Sequence, residues 1–171
     1  MDTPRSAHAS DEHAFKALYE DCYPSIRNFL YYKSGNMDQA EDLTQDSFMI
    51  LWKKWAHIDP EKVKSYLYTI ATNLFLNEVK HDKVVMKFRK RPTRTTTEET
   101  PQYDMEEEEF KQRLEAAIAA LPEKNRVVFL MNRIDKITYK EIADFLDISV
   151  KAVEKRMHKA LLELRKLDPR I

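Results

Sequence analysis

Thr138-Tyr139-Lys140-Glu141-Ile142-Ala143-Asp144-Phe145-Leu146-Asp147-Ile148-Ser149-Val150-Lys151-Ala152-Val153-Glu154-Lys155-Arg156-Met157-His158-Lys159 is the stretch from which the fold of this chain can be read. Thr138 and Glu141 stand three residues apart ahead of an apolar segment, the spacing of a capping box in which hydroxyl and carboxylate each satisfy an orphan amide. The helix they open, Tyr139 to Leu146, is two turns long. Asp147-Ile148-Ser149 makes a short turn, and Ser149 serves as N-cap of a further helix from Val150 to about Leu164. Ile142, Ala143 and Leu146 face Ile148, Val153 and Met157 across that turn, with the small Ala143 permitting a close crossing. This is the plan of a helix-turn-helix, whose second helix lies in the major groove. The outward positions of that helix are Lys151, Ala152, Lys155, Arg156, His158 and Lys159, and residues 151–170 hold seven Lys/Arg against three Asp/Glu. A helical hairpin with a basic solvated face shares the periodicity. Cap, turn length and cationic face together favour duplex DNA, where cations neutralise phosphates and Arg or Lys reads guanine edges.

Upstream of this unit, a helix is expected over about 105–120, and Leu121-Pro122 starts another through about Arg133. Residues 87–109 break the apolar periodicity. They begin basic (Lys87, Arg89, Lys90, Arg91, Arg94), pass through Thr95-Thr96-Thr97 and end acidic at Glu106 to Glu109. So few apolar side chains cannot offset the entropy of ordering a backbone, so 86–104 reads as a flexible linker and 1–10 as a disordered N-terminus.

Residues 11–85 are again periodic and helical. Phe15, Leu18, Tyr19 and Cys22 recur at helical spacing, and Pro24 is expected to end that helix or restart it. Gly35 is a plausible C-cap. A second helix runs from about Met37 to about Ala56, with Asp38, Glu41 and Asp42 early and Lys53 and Lys54 late, as the helix dipole prefers. Asp59-Pro60 reads as an N-cap with Pro at the first helical position, opening a helix over 60–83 with Val63, Tyr66, Leu67, Ile70, Leu74 and Val79 inward. The fold class expected is therefore all-α: two small helical domains, 11–85 and 105–171, joined by a flexible linker.

Composition supports this and excludes alternatives. Gly35 is the only glycine among 171 residues, too few for a P-loop or dinucleotide fingerprint and discouraging for turn-rich β folds. Cys22 is the only cysteine, which precludes an intrachain disulfide and points to a cytoplasmic protein. The longest apolar run, Ala116 to Leu121, has six residues, against the roughly 20 that span a bilayer, and no signal-peptide pattern is visible. His8, His13, His57, His81 and His158 are scattered without metal-ligand spacing, so neither an enzyme nor a metal or other cofactor is expected.

Two further signals lie in the first domain. In the helix containing Ala40 to Trp55, Leu43, Phe48, Leu51, Trp52 and Trp55 overfill one stripe, while Asp42, Gln45, Asp46 and Met49 form a polar ridge along another. Such a ridge beside exposable Met and aromatic groups suits docking on a helical partner; a core helix with a solvated acidic face fits the same pattern. Ser65 to Lys80 then mixes Tyr and Asn with apolar residues and runs into a basic segment, 80–94, holding seven Lys/Arg against one Asp. Tyr and Asn beside cations can stack on unpaired bases and bond their edges, although Tyr66 and Phe75 are expected to be core.

Three blocks carry a resemblance: Ala40 to Trp52, Tyr66-Leu67-Tyr68-Thr69-Ile70-Ala71-x-Asn73, and Leu121-Pro122-Glu123 through Tyr139-Lys140-Glu141-Ile142-Ala143 to Ile148-Ser149-Val150. In order and spacing they resemble the extracytoplasmic-function sigma factors, small sigma-70-type initiation subunits of bacterial RNA polymerase. The resemblance implies that Asp42, Gln45, Asp46 and Met49 dock on core RNA polymerase, deciding the ridge in favour of docking. It implies that Ile58 to Lys64, with Lys62 and Lys64, form the loop capturing a flipped base of the minus-ten element, a step that requires a preformed pocket. Tyr68, Asn73, Asn77 and Lys80 then belong to the same recognition and melting surface. Ser149, Lys151, Ala152, Lys155, Arg156 and Lys159 read the minus-thirty-five element.

The chain departs from the family pattern at Asn77, often Asp; at Lys80, often Arg; at Asp147, which replaces a turn glycine; and at Glu154, where a cation is common. The expected function is that of a sigma factor directing promoter-specific initiation. Its implied partners are core RNA polymerase, promoter DNA as duplex and melted single strand, and an anti-sigma factor, with no small-molecule substrate. The alternative is a stand-alone helix-turn-helix regulator whose N-terminal domain dimerises or senses.

Overall fold

A computed structural model of the chain describes residues 5–81 and 101–168, with side chains described over 11–79 and 108–168. Seven α-helices in this set follow in order: α1 Arg5–Ser34, α2 Met37–Lys54, α3 Val63–His81, α4 Pro101–Ala120, α5 Glu123–Arg133, α6 Tyr139–Leu146 and α7 Val150–Leu164. A single 3-10 turn, Trp55–His57, follows α2, and the described residues contain no strand. Of the stretch read as a linker, 86–104, residues 86–100 fall outside the described set and 101–104 lie in α4.

The local signals act largely as expected. Thr138 and Glu141 form the capping box, and the Ser149 hydroxyl accepts from the Ala152 amide at the start of α7. Gly35 ends α1 at φ 68°, its amide donating to the Tyr31 carbonyl at 2.7 Å. Asn36 caps α2 by accepting from the amides of Asp38 and Gln39.

Several expectations need correction. Helix α1 starts at Arg5, so 5–10, expected to be disordered, are helical; Ala7 and Ala9 favour a helix and no proline intervenes before Pro24. Pro24 neither ends nor restarts α1, which runs through it to Ser34. The hydrogen bond that Pro24 forfeits is the one to Glu20, an exposed residue whose carbonyl water can satisfy, while buried Cys22, Ile26, Phe29 and Leu30 hold the helix to the core. Asp59 caps a turn rather than a helix, its carboxylate accepting from the Glu61 amide, and α3 begins only at Val63. Helix α4 begins at Pro101 rather than near 105, with proline at its first position.

In the N-terminal unit, α1, α2 and α3 pack on one another around Ile26, Phe29, Leu30, Leu51 and Leu67. In the C-terminal unit, α5, α6 and α7 surround Val128, Met131, Ile142, Val153, Met157 and Leu164. Val63, Leu67, Ile70 and Phe75 are buried as the sequence implies, and Tyr66 and Leu74 are half-buried, but Val79 is exposed. The two units are not held apart: α3 packs on α6 and α1 on α5, giving one continuous core.

Candidate nucleic-acid interface

The polar ridge of α2 stands in water. Asp42, Gln45 and Asp46 are exposed and Met49 is 57% exposed, because their stripe faces away from α1 and α3 while Ala40, Leu43, Thr44, Ser47, Phe48 and Leu51 fill the inner one. Trp52, which the apolar stripe assigns inward, is 47% exposed. It meets Phe15 at a centroid separation of 4.7 Å in an edge-on arrangement. Phe15, Tyr19, Phe48, Met49 and Trp52 thus wall an open groove of about 750 Å³ between α1 and α2, with Glu12, Glu20 and Gln45 at its edges. Ridge and groove form one acidic, aromatic surface.

The loop from Ile58 to Lys62 borders a second cleft of about 710 Å³, lined by Leu18, Trp55, Ile58, Pro60 and Val63, with Asp11 and Asp21 on its walls. Ile58 is half-buried against the core and Lys62 is exposed. Lys64 donates to the Asp21 carboxylate at 2.7 Å, which raises the lysine pKa and lowers that of Asp21. The charge at Lys64 is therefore already matched within the protein. Cys22, next to Asp21, is buried, and desolvation pushes its thiol up to about 11.

Along α3 the expected residues divide. Asn73 and Asn77 are exposed, and Lys80 lies near the helix end with its side chain outside the described set. Tyr68, expected on the same open surface, is 4% exposed. Its ring packs edge-on against Phe29 at 5.0 Å and stacks on Phe145 of α6 at 4.4 Å, with the planes 9° apart. Burial raises its pKa strongly. Helical spacing could not reveal this, because the covering residue comes from 77 positions downstream in the other unit.

In α7, Lys151, Lys155 and Lys159 project into water, Ser149 is exposed, and Ala152 and Arg156 are half-buried. The opposite stripe, Val153, Met157, Ala160 and Leu164, is buried, so the cations necessarily point outward. Asp147 takes the left-handed conformation at φ 51°, ψ 51°, doing the work of a turn glycine. The Glu141 carboxylate accepts from the amide and hydroxyl of Thr138, which lowers its pKa and keeps the cap charged.

No local pattern in the sequence points to the polar clasp between the units. Asn28 donates to Asp135 at 2.8 Å, and Lys33 pairs with Glu123. Arg126, 3% exposed, donates to the carbonyl of Tyr32. Among the described residues no group of three or more His, Cys, Asp or Glu could hold a metal ion, and no helix is long and apolar enough to cross a membrane.

Two profiles of one family match the chain: Sigma-70 region 2 over residues 18–84 and Sigma-70, region 4, over 111–164. The chain belongs to the sigma-70 family. Its relatives place it in the extracytoplasmic-function group. The RNA polymerase sigma factor YlaC of Bacillus subtilis is 28% identical over 154 residues, covering 87% of this chain and 88% of that protein. The ECF RNA polymerase sigma factor RpoE of Cereibacter sphaeroides is 29% identical over 164 residues, covering 91% and 86%. The sigma factor RpoE of Bartonella quintana, solved with the anti-sigma factor NepR, has the same fold at a TM-score of 0.65 and 22% identity, covering 90% of this chain and 96% of that one. CnrH, solved with the cytosolic domain of CnrY, also scores 0.65 at 21% identity, covering 95% and 92%. Helices α1 to α3 thus carry region 2 of a sigma factor and α4 to α7 carry region 4.

Proposed function

We propose that this sigma factor binds core RNA polymerase through α2, recognises and opens the minus-ten element with α3 and the loop before it, and reads the minus-thirty-five duplex with α7. The observation that carries the reading is one chain presenting both a solvent-facing acidic ridge in region 2 and a cationic helix-turn-helix in region 4. Asp42, Gln45, Asp46 and Met49 are the polymerase contacts, and the neighbouring aromatic groove supplies the apolar area that a docked helix would bury. The cleft beside Ile58 is walled by Trp55 and Leu18, which suits a base taken out of the stack. Lys62, Lys64, Tyr68, Asn73, Asn77 and Lys80 complete the minus-ten set. Ser149, Lys151, Ala152, Lys155, Arg156 and Lys159 face the upstream duplex.

The domain division is 11–85 and 105–171 with the linker expected at 86–104, of which α4 takes up the end from Pro101; the linker lets both elements be held at once, and tethering raises joint affinity without new contacts. The protein acts in the cytoplasm, catalyses no reaction itself and is restrained by an anti-sigma factor. The region 2 match disfavours a stand-alone regulator, for which a dimerising or sensing domain is required instead.

The experiment is reconstitution with core polymerase. The wild-type chain is expected to co-purify with core enzyme and support run-off transcription, and Asp46→Lys to lose both while keeping its helix content by circular dichroism. Unchanged binding by that variant would overturn the docking assignment. Tight binding to a palindromic duplex as a dimer, without polymerase, would support the regulator instead.

A further inference from the structure

We propose that Asp21 of α1 is a positioning residue for base capture: through Lys64 it fixes the far end of the loop Ile58 to Lys62 beside the cleft, and Lys64 serves the minus-ten site as a strut between α1 and α3 and not as a phosphate contact. This rests on the reading of that cleft as the pocket for a flipped base. Asp21 lies outside all three blocks that carry the family resemblance.

The loop has little internal support. The Asp59 carboxylate accepts from the Glu61 amide at 3.0 Å and the Asp59 carbonyl from the Lys62 amide at 2.9 Å. Those bonds shape a turn without reaching another element. Its placement is set from its two ends, and both reach α1. At the near end the Ile58 amide donates to the Trp55 carbonyl at 3.3 Å, and the Trp55 ring meets Phe15 edge-on at 5.2 Å. At the far end Val63 is buried and Lys64 donates from Nζ to Asp21 Oδ2 at 2.7 Å. Phe15 and Asp21 are six residues apart, ~9 Å along a helix. The stretch between them contributes Ala17 and Leu18 to the cleft wall. One segment of α1 therefore both walls the pocket and holds the loop that borders it.

The charges fit a strut. A lone carboxylate at Asp21 would repel the strand whose base is captured, and opposed to Lys64 it is neutralised. Their hydrogen bond lowers the Asp21 pKa and raises that of Lys64, so both partners stay charged through the neutral range. A lysine held in this way neutralises no phosphate and releases no counterion. Lys62, exposed and outside the pair, is the cation of this loop left for the backbone. The side chains of Lys64 and Asp21 are 50% and 63% exposed, so they can be exchanged without disturbing the core.

The test uses Asp21→Asn, Lys64→Gln, the two combined, and the reversed pair Asp21→Lys with Lys64→Asp, each checked for wild-type helix content by circular dichroism. In the free chain, hydrogen exchange followed by mass spectrometry reads the loop. The peptide carrying the Glu61 and Lys62 amides should exchange about fivefold faster in both single variants and in the double variant, the most that an exposed ion pair supports, and the reversed pair should recover most of the protection. Holoenzyme reconstituted with core polymerase reads the consequence, on a promoter fragment that the wild-type holoenzyme selects from a library randomised across the minus-ten element. Permanganate reactivity of unpaired thymines should appear about fivefold more slowly in the single variants, no more slowly than that in the double, and near the wild-type rate in the reversed pair. The salt dependence of binding should be the same for the double variant and wild type, whereas Lys62→Ala should lower the slope by about one ion.

Loop exchange that is the same in all variants would overturn the proposal, as would losses that multiply in the double variant. Exchange that responds while promoter opening does not would overturn it too. A reversed pair that opens DNA most slowly of all, or a double variant whose salt slope falls by about one ion, would make Lys64 a phosphate contact and sink the strut. Loop exchange that responds as stated, in a chain whose holoenzyme never opens promoter DNA, fails the functional reading and leaves the pair's hold on the loop standing.

Discussion

Arg126 donates from Nε to the backbone carbonyl of Tyr32 at 3.1 Å, joining α5 to the last turn of a helix 94 residues earlier. The same guanidinium donates from Nη1 to the carbonyls of Ala119 and Leu121 at 3.0 and 2.7 Å, at the end of α4. One buried cation therefore satisfies orphan carbonyls at two helix C-termini, where the helix dipoles favour positive charge. Desolvation lowers the Arg126 pKa, yet the three acceptors and nearby Glu123 keep the charge in place.

Arg126→Ala is accordingly expected to destabilise the chain by ~3 kcal/mol, because it strands two buried carbonyls, those of Tyr32 and Leu121, and the part-buried one of Ala119. Arg126→Lys should recover only part, since an ammonium cannot reproduce the planar fork. Urea denaturation followed by circular dichroism measures both. A loss below ~1 kcal/mol for the alanine variant would show that water reaches those carbonyls.

The turn of the helix-turn-helix gives a backbone prediction. Asp147 sits at φ 51° with its amide donating to Ala143, and a residue with a Cβ bears a steric cost there. Asp147→Gly should raise stability by ~0.5 kcal/mol, the relief outweighing the added freedom of the unfolded chain. Asp147→Val should lower it by ~1–3 kcal/mol, since a β-branched side chain is poorly tolerated in that region. Equal thermal midpoints for the two variants would mean that the turn does not require a left-handed residue.

Much of region 4 was legible because its signals are local. Thr138, Glu141, Asp147 and Ser149 each act within a few residues of themselves, so the bounds of α6 and α7 follow from capping chemistry alone. The α2 ridge was legible for a similar reason, since helical periodicity separates Asp42, Gln45, Asp46 and Met49 from the buried stripe. Pro24 misled because the cost of a proline depends on whether the carbonyl it strands is wet, which sequence does not state. Tyr68 misled for a deeper reason. Its neighbours in α3 mark a helix face, but what covers that face is Phe145, and no local pattern couples the two.

Within α7, Arg156 differs from its neighbours. Lys151, Lys155 and Lys159 are exposed, whereas Arg156 is half-buried. The planar fork of an arginine suits bidentate contact with guanine. Arg156→Ala should therefore weaken binding to the cognate upstream element by ~1–3 kcal/mol and relax preference at one base pair. Lys155→Ala should weaken all duplexes alike and reduce the salt slope by about one ion. Competition binding against single-base-pair variants at two salt concentrations separates the cases, and a uniform loss for Arg156→Ala would demote it to a phosphate contact.

The remaining prediction concerns pH. Burial raises the Asp135 pKa above its ordinary value of 3.8, with hydrogen bonds from Asn28 and Tyr32 opposing the shift. The folded state therefore holds a proton more tightly at this carboxyl than the unfolded chain does, and folding takes up protons at pH values between the unfolded and folded pKa. The contribution of Asp135 to stability is most favourable below pH 3.8 and declines as pH rises through the folded value, above which the cost of a half-buried carboxylate remains. Glu141 titrates with the opposite sign, because the Thr138 hydrogen bonds lower its pKa and its stabilisation is lost on acidification. Wild type alone would mix the two effects. The informative quantity is the stability of Asp135→Asn minus that of wild type, in which Glu141 cancels. That difference should grow in favour of the variant as pH rises above 3.8, since an amide can accept from Asn28 without a charge to desolvate. A difference that stays flat across the range would show that Asp135 is solvated, and that the contact between α1 and α5 leaves it in water.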